Sequence, residues 1–461
     1  MMKRIILVII GSFVSCSAWA QAATELPATA TPDTVLAGIN NGSMYLVSPD
    51  HQYQFFPHGR LQTDALFLQR GSEAAPFDTL TSRRARLEMA GRVGSWVGFH
   101  IAGDFSSAAN GLPATDNYVL LDPWRNALMF QLGQFDAPFS LENRMADKYF
   151  DFMERSATVR AFGVPTNKEV GAMVSGLLLG DRLYYSLGAF NGDGRNVNNV
   201  DNHFDLIGRA FVAPWAEEED SPLHAVSLGA SLWTGVRGDD IAKSQLFVAQ
   251  TTQMGFGFFG NKWSETPAGK TKQNMELRQQ GSLTQWALEL NAPIHHLYGL
   301  RAEYIHKSQN LAEIDVTAAA KAGQALLQGS SAYVQVWYWL VGDDTIVPFD
   351  TAQRLPKWRP RPSVSTATGP RTGLMIALRY EHLDETLSND GLTVNPGLGR
   401  TRMDSGELGI NYWYSKTFRA TINALVHHFA GDSAAVQSAI GGVNGGSAWE
   451  QELGLRLAIA L

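Results

Sequence analysis

Cysteine is all but missing: Cys16 is the only one in 461 residues. No disulfide framework can form within the chain, and no set of thiolates can hold a metal. Long apolar runs are missing too. No stretch of about 18 apolar residues occurs, which excludes a membrane span by α-helix. Lysine is scarce, with 11 against 26 arginines. No zinc-ligand spacing, phosphate-cradling glycine loop or nucleic-acid motif is found, so no metal, cofactor or nucleic-acid partner is expected. A chain of this length would ordinarily suggest two or three soluble domains, yet no linker divides it.

The first 20 residues read as a secretory signal. Lys3 and Arg4 precede the apolar run Ile5 to Ile10, and Ala18-Trp19-Ala20 supplies a small-x-small cleavage site. Cleavage after Ala22 is the alternative. Phe13-Val14-Ser15 before Cys16 is a poor lipidation signal. Residues 21–57 are expected to form a periplasmic arm with at most a short strand, and residues 58–461 the folded unit.

What the chain does have is alternation. Leu61, Thr63, Ala65 and Phe67 oppose Arg60, Gln62 and Asp64. Ala85, Leu87, Met89 and Val93 oppose Arg84, Arg86, Glu88 and Arg92; Val97, Phe99, Ile101 and Phe105 oppose His100 and Asp104. Such segments recur to the last residue, with Leu453, Leu455, Leu457, Ile459 and Leu461 closing the chain. A soluble sandwich also alternates. Short turns at Gly94, 179–182 and 415–417, set against long loops at 136–167 and 237–280, favour a transmembrane barrel. The expected fold is all-β: an antiparallel barrel of about 16 strands with both ends in the periplasm. Tyr338, Tyr380, Tyr412, Tyr414 and Trp449 are expected at strand ends, as aromatic girdles. The segment 343–370, with Lys357, Arg359 and Arg361, is too long for a periplasmic turn and could fold into the lumen.

One connection stands out. From Gln131 to Ser156, Leu141, Met145, Tyr149, Phe150, Phe152 and Met153 are interleaved with charged residues. A long loop with its own apolar anchors is usually functional. This one is expected to fold inward and narrow a cavity, anchored by Phe139, Phe150 and Phe152. The segment G-Q-F-D-A-P-F-S-L-E followed by F-M-E-R-S resembles the constriction loop of the phosphate-selective porin family of bacterial outer-membrane channels. G-R-L-Q-T-D at Gly59 to Asp64, S-R-R-A-R-L at Ser82 to Leu87, Y-Y-S-L-G-A-F-N-G-D-G at Tyr184 to Gly194 and L-G-I-N-Y-W-Y at Leu408 to Tyr414 match in the same order.

The resemblance implies an anion site of Arg60, Arg84, Asp116 and Arg155, passage of phosphate or other small anions, contact with outer-membrane lipid, and a homotrimer. Arg86, Arg92, Asp136, Arg144, Lys148, Arg209, Arg301 and Arg379 are further candidates for the pore lining. Guanidinium is permanently charged and fork-shaped, so it suits oxyanions, although the chain's net charge is −7. Some positions depart from the family pattern. Asn143, Ala146 and Asp147 stand where phosphate-selective members carry a lysine and paired serines, and Arg86 replaces an aromatic residue; these changes bear on strict phosphate specificity. The plainer alternative is that lumen arginines pair with Glu88, Asp104, Asp116 and Glu154 to stiffen the wall. An outer-membrane enzyme would need a nucleophile matched to His295-His296 or His427-His428, and no serine motif offers one. A structural barrel with a plugged lumen is the other alternative.

Overall fold

A strand greasy on one side and charged on the other is stable in a bilayer only when both its backbone edges are paired. The computed structural model describes residues 37–40, 43–69, 77–106, 114–124, 126–164, 167–218, 220–255, 257–265, 273–346, 372–389, 399–431 and 447–460. The expected signal, most of 343–370 and Leu461 fall outside them.

A short hairpin, β1 (Ala37–Asn40) and β2 (Ser43–Val47), leads into β3 (Tyr53–Gln69). The wall continues through β4 (Phe77–Val93), β5 (Val97–Asp104), β6 (Ala114–Leu121), β7 (Met129–Asp136) and β8 (Lys168–Leu178). β9 (Leu183–Phe190), β10 (Asp205–Val212) and β11 (Ser227–Arg237) follow. Three short strands occupy the next connection: β12 (Gln250–Thr251), β13 (Gly257–Phe259) and β14 (Lys262–Glu265). Then come β15 (Gln273–Ile294), β16 (Tyr298–Asp315), β17 (Ala320–Val341) and β18 (Gly373–Asn389). β19 (Gly399–Trp413), β20 (Phe418–Gly431) and β21 (Ser447–Ala460) complete the chain.

Each wall strand pairs antiparallel with the next, and β21 returns to β3 with Ala460 opposite Arg60 and Gln451 opposite Gln69. Of the 19 strands joined in the sheet, β1, β2 and β14 are appendages and the other sixteen close the barrel. Burial is inverted relative to a soluble sandwich. Leu61, Leu87, Ile101, Leu132 and Leu457 face outward, while Arg60, Gln62, Asp64, His100, Arg379 and Arg456 are buried inside. That inversion makes the outer face a lipid face.

Several expectations need correction. The wall begins at Tyr53, not near His58, because Tyr53 to Pro57 already pair with Met89 to Val93. The N-terminal segment forms a hairpin whose Leu46 and Val47 pair with Phe55 and Gln54. The loop expected over 237–280 is shorter, since Gln273 to Gln280 extend β15. Tyr380 lies mid-strand and not at a strand end; its hydroxyl donates to Asp404 at 2.7 Å, beside His382.

Strict alternation also breaks at one place that matters. The β3–β4 register shifts after Gln62, which pairs with Arg84 while Thr63 pairs with Ser82. Arg83 is the extra residue. A bulge re-aims a side chain, and here it lets Arg83 reach the lumen beside Arg84.

Candidate channel constriction

The connection from β7 to β8 folds into the barrel. Ser140 has a φ of 68° and turns the chain inward. A helix of four residues, α1 (Leu141–Arg144), follows, then a 3-10 turn at Asp147–Tyr149, then α2 (Ala157–Phe162). Phe139, Leu141, Met145, Phe150, Phe152, Met153 and Phe162 are all buried. Phe139 packs edge-on to Trp233 from the wall, and Phe152 joins a cluster with Trp337, Trp339, Met375 and Trp413 at the barrel end where β17 leads to β18. Ile346, from the connection after β17, is buried in that same cluster. Lys357, Arg359 and Arg361 lie outside the described residues.

Short helices leave unsatisfied N–H groups at their starts, with a partial positive charge. The glutamates of the wall meet them. Glu303 accepts the backbone N–H of Leu141 at 2.9 Å and of Glu142 at 2.8 Å. Glu381 accepts Thr158 N–H at 3.0 Å, and Ser156 Oγ caps Val159 N–H at 3.1 Å. Glu142 accepts both Ser156 N–H and its hydroxyl, at 2.8 and 2.6 Å. Arg379 neutralises this flank, held by Glu142 at 3.0 Å and Glu381 at 3.2 Å, and by Glu407, with Phe152 under its guanidinium.

On the opposite flank the wall supplies arginines and the loop supplies acids. Arg60 pairs with Glu88 at 2.7 Å and Arg86 with Asp104 at 2.8 Å. Arg84 donates to Gln62 at 2.9 Å and to both oxygens of Glu154, at 2.9 and 3.0 Å. Arg83 and Arg456 also hold Glu154, at 3.0 and 2.7 Å. Burial alone would push the Glu154 carboxyl up; the guanidiniums of Arg83, Arg84 and Arg456 instead hold it well below the usual carboxylate range. Asp147 is shared by three arginines. Its Oδ1 accepts from Arg60, and its Oδ2 lies 2.7 Å from Arg84 Nε and 3.1 Å from Arg86 Nη1.

Of the four residues implied as a central site, Arg60 and Arg84 therefore meet. Asp116 stands two strands on and is bound by Lys168 Nζ at 2.8 Å, which also binds Asp136 at 2.7 Å. Arg155 turns into its own loop, donating to the carbonyls of Glu142, Asn143 and Met145 at 3.1, 3.3 and 3.0 Å and stacking on Phe150. It braces the loop and does not join Arg60 and Arg84. Arg144 donates to the Asp136 carbonyl, and Lys148 lies over the ring of Tyr149. Arg209 is locked to Glu289 at 2.6 Å, and Arg301 to Asp151 at 2.9 Å. Arg92 sits at the turn and donates to the Ser95 carbonyl at 2.6 Å, away from the constriction.

Residues 59–245 match the family described as phosphate-selective porin O and P. Over that stretch the chain is similar to the phosphate-selective porin family. Solved structures share its fold. OmpT of Vibrio cholerae lacking loop L8, an outer membrane protein, is 10% identical with a TM-score of 0.51, over 89% of this chain and 100% of its own. The trimer form of in-vitro folded OmpT is 12% identical with a TM-score of 0.50, over 88% and 99%. Salmonella typhi OmpF in complex with daunomycin is 10% identical with a TM-score of 0.50, over 92% and 100%. At such identities the likeness shows the fold alone. No curated protein matches by sequence. Family and fold together make this an outer-membrane porin channel of a bacterial outer membrane.

This porin folds a second loop inward that the sequence did not lead us to expect. Between β11 and β15, Phe247, Met254, Phe258 and Phe259 are buried, with Phe258 stacked on Phe429 of the wall. Gln250 donates to Glu385 at 2.9 Å, Gln253 to Glu381 and Thr252 to Glu452, while Arg160 of α2 reaches Thr251 Oγ1 at 2.7 Å. The signal available was the cluster Met254 to Phe259, too apolar for a loop in water. The histidine pairs are separated by the fold. His427 faces inward, 3.2 Å from Glu452, while His428 faces outward against Trp449. His296, in the turn between β15 and β16, pairs with Asp344 of the connection after β17 at 2.6 Å.

Proposed function

We propose that this porin is an anion-preferring channel for phosphate or related small oxyanions, acting as a homotrimer in outer-membrane lipid after residues 1–20 are removed as a signal. The supporting observation is the convergence of Arg60, Arg84 and Arg86 on one carboxylate, a charge an oxyanion can match. Guanidiniums fixed by wall partners offer preorganised, paired donors to a partly dehydrated anion. Each such contact is worth roughly 1.5 to 3 kcal/mol. Loss of one therefore weakens anion binding about 10- to 100-fold.

The second reading, a porin of the same fold without ion preference, is favoured by Glu289, Glu303, Glu381 and Glu407 on the far wall. Their charges are already met by Arg209, Arg379 and the loop's N–H groups, which is why the first reading is preferred. The test is the zero-current potential of the purified protein in a planar bilayer under a potassium chloride gradient. A potential of anion-preferring sign supports the reading; a cation-preferring or null value overturns it.

A further inference from the structure

Asp147 occupies the seat between the guanidiniums of Arg60, Arg84 and Arg86. Glu88, Asp104 and Glu154 each hold one of Arg60, Arg86 and Arg84, and Asp147 alone bridges all three. Its side chain is nearly fully buried by them. The turn that carries it lies between two tied points. The chain before it is fixed by Arg155 on the Met145 carbonyl, and the chain after it by Arg419 on the Phe150 carbonyl at 2.7 Å. Between these points the 3-10 turn Asp147–Tyr149 is closed by a bond of its own, Tyr149 N–H to the Ala146 carbonyl at 3.0 Å. A short turn between two fixed points thus carries a carboxylate into a three-arginine seat.

We infer that Asp147 is a tethered, exchangeable counter-anion: a solute oxyanion binds the arginines as the Asp147 carboxylate leaves them, so Asp147 sets the affinity of the channel for its solute. The inference rests on the anion-channel reading. A carboxylate on a short tether competes at a high effective concentration, in the millimolar range for flexible links. It lowers the apparent affinity for free anions without abolishing the seat. Passage then does not stall on a tightly bound ion.

Inorganic phosphate is the probe, read as block of chloride current through single channels. Asp147→Asn keeps the shape and removes the competing charge, so phosphate block should tighten about 10- to 100-fold. Removing any lumen acid favours anions in general. Asp151→Asn, which takes a charge from the same loop outside the seat, is therefore the control, and should leave phosphate block within about threefold of wild type. Unchanged block in Asp147→Asn, or equal tightening in Asp151→Asn, overturns the inference while wild-type anion preference still stands. A wild-type channel with no anion preference overturns the underlying reading instead. Should Asp147→Asn fail to assemble, the unaltered protein serves: phosphate should speed hydrogen exchange of the 146–149 amides more than equal chloride does. Unchanged or slowed exchange overturns the inference.

Discussion

The two flanks of the lumen hold the same loop differently, although both pair wall arginines with loop acids, Arg379 with Glu142 and Arg301 with Asp151 on one side. On the β16–β19 side, Glu303 and Glu381 accept backbone N–H groups at the starts of α1 and α2, donors that belong to the fold itself. On the β3–β4 side, Arg60, Arg84 and Arg86 meet loop side chains, Asp147 and Glu154. A backbone donor has no free counterpart in solution, whereas a carboxylate does. The backbone contacts of the glutamate flank are therefore a fixed anchor, and the seat where three arginines share Asp147 is one where a solute can take a partner's place.

Breaking the whole arrangement should have the largest effect. Deleting Asn143 to Asp151 removes the turn that carries Asp147, and single-channel conductance should rise in planar bilayers; unchanged conductance would place the narrowest section at the second inward loop. Next comes the anchor. Glu303→Ala removes acceptors for two backbone N–H groups and for Tyr333 Oη at 2.7 Å, contacts worth roughly 1.5 to 3 kcal/mol each. The loop should loosen, giving larger and noisier currents in a barrel that still shifts on a denaturing gel only after boiling. Quiet, wild-type currents would show that the glutamate flank does not hold the loop. A smaller effect is expected for Arg155→Ala, which cuts three ties to loop carbonyls but takes nothing from the three-arginine seat. Current noise should rise while phosphate block stays within about threefold of wild type; loss of block by an order of magnitude would return Arg155 to the anion site.

Much of this contrast was legible in the sequence, and the rest was hidden for definite reasons. Alternation around Arg60, Arg84 and Leu457 carries the barrel, because a wall between lipid and water admits no other pattern. The apolar residues from Phe139 to Met153 carry the inward loop. Of the acids expected to pair with lumen arginines, Glu88, Asp104 and Glu154 do so while Asp116 is bound by Lys168, and the pairing coexists with convergence on Asp147. The inward turn of Arg83 depends on a register shift, which no single strand reveals. The direction of Arg155 is set by the path of its own loop. Asp147 looked like a departure from a family pattern, and its role emerges only once β3 and β4 are side by side. Lys168, which binds Asp116 and Asp136, sits at the start of β8, where nothing in the local pattern marks it.

The central claim is that the arginine flank sets ion preference while the glutamate flank sets only loop position. Zero-current potentials of Arg86→Gln and Glu303→Gln, measured side by side under one potassium chloride gradient, test it directly. Arg86 is the least buried of the three converging arginines, so its replacement is best tolerated. The account predicts that Arg86→Gln moves the potential toward cation preference, and that Glu303→Gln, which removes an acid already met by backbone N–H groups, moves it far less and only toward anion preference. A large shift in Glu303→Gln with none in Arg86→Gln would contradict it.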